Sequence, residues 1–154
     1  MNATGISNGI KNIVSGISNA VYMRATDSDA NTDVDHVDIS GKVLCIYNNL
    51  PNVSQAVPSS GSIGRSWPVE IRVVKLAQQD DNTVDGDSIR DECMAVADNI
   101  FDMIIPQFGE QEPAVLEYTL NFLGEVKIYD KTLTGVRLLF TLQFDRDVYY
   151  CPAP

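Results

Sequence analysis

Two acidic stretches come nearest to a constellation with chemistry of its own. A calcium-binding loop needs oxygen ligands at positions 1, 3, 5, 7 and 12, with a glycine at 6 for its sharp turn. Asp27, Asp29, Asn31, Asp33 and Asp38 fall at such spacings, but Thr32 stands where the glycine belongs and a strand pattern follows. Asp81, Thr83, Asp85, Gly86 and Glu92 fit more closely, with Glu92 in the twelfth place. Here a strand pattern precedes the loop, and Ser88 replaces the apolar residue usual at position 8. Solvated turns and helix capping account for the same residues, so no metal ligand is assigned.

Other chemistries have fewer residues to draw on. His36 is the single histidine, which rules out a histidine-based triad or a two-histidine zinc site within one chain. Between Asp35 and Asp38 its protonated form is favoured, which suits a general base poorly. Cys45, Cys93 and Cys151 form no CxxC pair and read as reduced thiols. Cys45 lies in an apolar run and Cys93 on a helical stripe, where cysteine behaves as a small hydrophobe. GSIGRS, from Gly61 to Ser66, has glycines like a phosphate cradle, yet it lacks the GK[ST] ending and no helix follows, so it reads as a loop tip. The sequence therefore assigns no catalytic, cofactor-binding or metal-ligating residue.

With 154 residues, 44% of them hydrophobic and 21% charged, the chain is read as one domain spanning 1–154 and able to bury a core. A formal net charge of -10 argues against holding a phosphate backbone, because that affinity comes from Lys and Arg displacing counterions. DNA could still pass such a surface without sticking. No stretch approaches the roughly 20 apolar residues needed to span a bilayer, and no basic leader is present, so use in solution, away from membranes, is expected.

The clearest element runs from Ser88 to Pro106. Ile89, Cys93, Val96, Ala97, Ile100 and Ile104 fall three and four residues apart, one stripe of an amphipathic helix. Ser88 is expected as N-cap with Asp91 as its capping-box partner, and Pro106 as the stop. A second helix is expected from Ile6 to Met23, with Ile6, Ile10, Ile13, Val14, Ile17 and Val21 on its stripe and a polar face of Ser, Asn and Gly. GISN recurs at Gly5–Asn8 and Gly16–Asn19, about three turns apart, so the small residues share a face that would admit a neighbouring chain or the protein's own sheet.

Strands are read at Lys42–Tyr47 and Val69–Ala77. A long Pro- and Ser-rich loop, Leu50 to Pro68, joins them and ends at the single tryptophan, Trp67. In the second half, Leu116, Tyr118, Leu120 and Phe122 alternate with polar residues, and Gly124 marks a bulge before Val126 and Ile128. After a turn DKTLTG, Val136, Leu138, Phe140, Leu142 and Phe144 alternate again, which completes a long hairpin. The predicted order is α-β-β-α-β-β: an α+β fold with an antiparallel sheet of about four strands covered by a central and an N-terminal helix.

This arrangement, GIKNIVSGISNAV, KVLCIY, WPVEIRVVKLA, SIRDECMAVADNIFDMII and the hairpin LEYTLNFLGEVKIYD with GVRLLFTLQF, resembles the tail-terminator, tail-completion and neck ring proteins of tailed bacteriophages. It spans about Gly5 to Tyr150, and crAss-like gut phages, which stack several ring proteins, are one source of such chains. The resemblance implies a virion protein, assembled in the host cytoplasm, that performs no chemistry and carries no cofactor. Copies would close into a ring at the head-to-tail joint or the tube's end, contact portal, neck or tail proteins, and let DNA through without specific binding. The Asp-rich insert Asp27–Asp38 has no place in that pattern. The reading from another class is a small-molecule-binding or hydrolytic α+β domain with an acidic calcium loop, its site between the sheet and the Leu50–Pro68 loop.

Overall fold

The computed structural model describes residues 3–24, 41–48, 54–56, 63–76, 83–108, 114–128 and 131–146. Its longest strand organises the rest. β6 (Lys131–Arg146) lies between β5 (Ala114–Ile128) and β4 (Ile63–Leu76), antiparallel to both. The far edge of β4 pairs with β2 (Val43–Asn48), and β1 (Ala20–Arg24) joins β2 in parallel. The sheet order is thus β1-β2-β4-β6-β5, with the short β3 (Ser54–Ala56) pairing the start of β4.

Alternation in β6 places Val136, Leu138, Phe140, Leu142 and Phe144 on one face, where all five are buried. Val69, Ile71 and Val73 of β4 and Val43, Cys45 and Tyr47 of β2 join them. Helix α2 (Thr83–Asp102) covers this face with Cys93, Val96, Ala97 and Ile100, and a one-turn helix α3 (Ile104–Gln107) adds Ile104. α1 (Ala3–Ser15) completes the layer with Ile6, Ile10, Ile13 and Val14. At about 1–3 kcal/mol for each large side chain removed from water, before chain entropy is subtracted, these stripes hold the helices to the sheet. A smaller cluster of Met23, Leu44, Ile46, Val74 and Leu133 lies on the opposite face.

Several expectations need correction. The sheet is mixed and six-stranded rather than antiparallel and about four-stranded. The expected helix from Ile6 to Met23 ends at Ser15, and the second GISN forms the turn into β1 instead of another helical turn. Glycine at position 16 weakens the helix just where residues 20–24 find a partner in β2, and the ladder wins. α2 begins five residues before Ser88, so Ser88 is a helical residue and not the cap. The helix also breaks before Pro106, since a proline ring clashes with the carbonyl four residues back. Asp102 occupies that position, and Pro106 instead sits in the first turn of α3, where its missing N–H leaves no bond unmade.

The Leu50–Pro68 stretch is not a structureless loop: β3 falls within it and residues 63–68 belong to β4. Pro68 is tolerated mid-strand because, among the described residues, β3 pairs β4 only up to Ser66 and β2 only from Glu70, so no ladder partner on that edge needs the N–H that proline lacks. The DKTLTG turn shrinks to the two residues between Ile128 and Lys131, with Thr132–Gly135 already in β6. The bulge at Gly124 is present as a register shift between Leu123 and Val126, and a second shift lies between Leu116 and Thr119.

Candidate functional site

The residues singled out for chemistry are scattered or otherwise engaged. Thr83, Asp85 and Gly86 are in the first turns of α2, so the backbone there winds as a helix instead of wrapping an ion. Glu92 accepts hydrogen bonds from Lys75 Nζ at 2.6 Å and Asn19 Nδ2 at 3.2 Å, which ties α2 to β4 and to the α1–β1 turn. The Lys75 bond is the main reason its carboxyl is held below the usual range. Asp27–Asp38 with His36, Asp81 and Cys151 lie outside the described residues. Of the GSIGRS stretch, Ile63–Ser66 are strand residues paired to β6, and Gly64–Ser66 are paired to β3 as well, which contradicts a loop tip there.

Cys45 of β2 and Cys93 of α2 are both fully buried in the core between helix and sheet, and burial pushes each thiol up to about 12. At that value the thiolate, the reactive form, is essentially unpopulated near neutral pH. Among the described residues no group of three or more His, Cys, Asp or Glu side chains converges as a metal cluster.

One charged group is buried: Glu70, on the face of β4 opposite Val69, Ile71 and Val73, is only 1% exposed. Its carboxylate accepts from Arg72 Nε at 2.8 Å and from Arg137 Nη2 at 2.6 Å, which links β4 to β6. Burial pushes its pKa up, but the two guanidiniums outweigh that and leave it below the ordinary glutamate value. Arg72 and Glu70 are near neighbours in sequence, whereas Arg137 is brought to them by the Arg72–Arg137 register. This cluster is a staple inside the sheet.

The surface is more informative than the interior. Among the described residues four large apolar side chains stand exposed: Met103 at 49%, Ile105 at 48%, Tyr118 at 41% and Phe122 at 66%. Phe122 pairs with Val136 and Leu120 with Leu138, so Phe122 is on the helix-covered face of β5 but beyond the cover. Tyr118 lies on the same face. Its ring packs on Phe101 of α2 with centroids 4.2 Å apart, and Phe101 meets Phe140 edge-on at 6.1 Å. The Tyr118 hydroxyl donates to Asp98 Oδ1 at 3.4 Å; partial burial, then the negative charges of Asp98 and Asp102, raise its pKa. Met103 and Ile105 flank the α2–α3 junction at the end of that same helix.

Tyr118 and Phe122 belong to the apolar half of the β5 alternation, yet both are exposed. The local pattern does not reveal that β5 ends the sheet, and the edge position is what leaves them in water. Large apolar side chains left exposed on one face of an edge strand are available for another macromolecule to cover. Among the described residues no helix is long and apolar enough to cross a membrane. Compared with known proteins, the chain matches no family model and no curated protein.

Proposed function

We propose that this chain is a structural subunit of a phage virion that assembles into a closed ring at the head-to-tail joint, as a neck or tail-terminator protein. The reading rests on the sequence resemblance, and one observation carries it further: Tyr118 and Phe122 stand exposed on one face of the edge strand β5, and Met103 and Ile105 are exposed at the α2–α3 junction. An enzyme hides its large apolar groups around a cleft, whereas an assembling subunit leaves some outside until its neighbour arrives. The acidic balance, -10 overall, supports a conduit through which DNA slides without sticking. Neighbouring portal, neck and tail proteins are the other partners of such a ring.

Negative-stain electron microscopy of the purified chain tests this directly. Rings with a central opening, alone or after addition of portal-side or tail-side neck proteins, are the expected result. Single particles of monomer size under both conditions would overturn it.

A further inference from the structure

Two connections in this fold join parallel strands, and one of them contains the Asp-rich stretch that neither the candidate site nor the ring reading employs. β4 and β5 are both antiparallel to β6 and hence parallel to each other, and α2, between them in the chain, packs on the helix-covered face. β1 and β2 are parallel and adjacent, and both run against β4. Their register sets Arg24 beside Tyr47 and Ala20 beside Val43. Residues 25–42 must therefore carry the chain back along the ladder, about 13 Å at about 3.3 Å per residue. Such a crossover needs a dozen or more residues, and this connection has that length.

Crossovers between parallel strands are right-handed in nearly all folds. The steps from β1 to β2 and from β4 to β5 go the same way across the sheet, but on strands that point in opposite directions. Two connections of one hand then lie on opposite faces. With α2 on the first face, the β1–β2 crossover belongs on the second, and over β1 and β2 the first is already taken by α1. The second face is an interior on that side. Met23, Leu44, Ile46, Val74 and Leu133 are at most 5% exposed there, although the apolar stripes of α1, α2 and α3 all pack in the other cluster. Toward the β5 edge the same face opens, since Thr119 and Asn121, paired with Leu139 and Arg137, are exposed.

We propose that residues 25–40, outside the described residues, dock on this second face, with Val34, Val37 and Ile39 against Leu44, Ile46 and Val74 and the aspartates toward Arg72 and Arg137. The three β-branched residues interleave with Asp33, Asp35 and Asp38, so the stretch carries both kinds of group the face calls for. Arg72 and Arg137 share the single carboxylate of Glu70, which leaves a net positive cluster on this face in a chain of formal net charge -10. Opposite charges attract the stretch and the apolar residues hold it. The Asp-rich insert is thereby a second cover for the core. This placement concerns a single chain and stands apart from the ring reading.

Methyl NMR with a nitroxide at position 36 tests it in the full chain. The label is attached to His36→Cys in a Cys151→Ser background, where the buried Cys45 and Cys93 do not compete. Methyl signals of Leu44, Ile46, Val74 and Leu133 should broaden while those of Ile10, Val14 and Ile100 stay sharp. Broadening of the second set first, or of neither, would overturn the placement. In a second arm, Val34→Ser, Val37→Ser and Ile39→Ser together should lower the melting temperature by at least about 6 °C. A shift under about 1 °C would also overturn it, and the nitroxide arm decides if the serine variant fails to fold. Neither readout depends on oligomeric state, so a failure here is distinguishable from a failure of the ring.

Discussion

Replacing Glu70 with glutamine keeps the side chain's shape and removes its charge from between Arg72 and Arg137. Two charge-assisted hydrogen bonds, at 2.8 and 2.6 Å, are then weakened, and two guanidiniums lose their shared counter-ion. Removing one partner of a fully buried ion pair costs about 3–5 kcal/mol. Here the arginine side chains are 26% and 39% exposed, so water recovers part of the loss and about 2–3 kcal/mol is expected. In a chain of this size that lowers the melting temperature by about 5–10 °C. The pH dependence follows from the lowered folded-state pKa. An unfolded glutamate titrates at about 4.3, so the stabilisation is complete above that value and is lost as pH falls through the lower folded value. Thermal unfolding of wild type and Glu70→Gln, followed by circular dichroism from neutral to acid pH, should show a gap that narrows only below about pH 4.3. A neutral-pH gap under about 1 °C, or one that is constant into acid, would refute the staple.

Two glycines separate flexible from rigid packing. A Cβ on Gly9 would stand 2.4 Å from Cζ of Phe108, a ring that can shift, while helix propensity improves by up to about 1 kcal/mol. Gly9→Ala should therefore lose only about 1–2 kcal/mol net in denaturant titration. On Gly135 the same atom would meet the Val73 carbonyl oxygen at 2.1 Å and the Val74 Cα at 2.8 Å, both backbone. Gly135→Ala should lose more than about 3 kcal/mol or fail to fold, and the reverse ranking would contradict the β4–β6 geometry. Iodoacetamide with peptide mapping should leave Cys45 and Cys93 unmodified at neutral pH in the native protein and modify both in denaturant; native modification of either would contradict their burial.

Where the forces are local and periodic, the sequence was legible. The stripe Cys93–Val96–Ala97–Ile100–Ile104, the alternation from Val136 to Phe144 and the bulge at Gly124 all depend on neighbours within a few residues, and all are present. Ile17 and Val21 continue the helical spacing of α1 by coincidence. Only the parallel pairing with β2, whose residues are more than twenty positions away, turns that segment into a strand. Glu70 follows the outward half of an alternation, and its burial depends on Arg137 from another strand. The candidate site was illegible for the same reason. Tyr118, Leu120 and Phe122 form one alternating series, but sheet order decides which of them α2 covers, and sheet order is a property of the whole chain.

Sedimentation velocity over a dilution series measures the central claim, self-assembly, without surface or stain. The account predicts one discrete species at an integer multiple of the 16.9 kDa chain, returning to lower mass only on dilution or at high salt. A 16.9 kDa species across the whole concentration range, at low salt and with Phe122 still exposed, would contradict it.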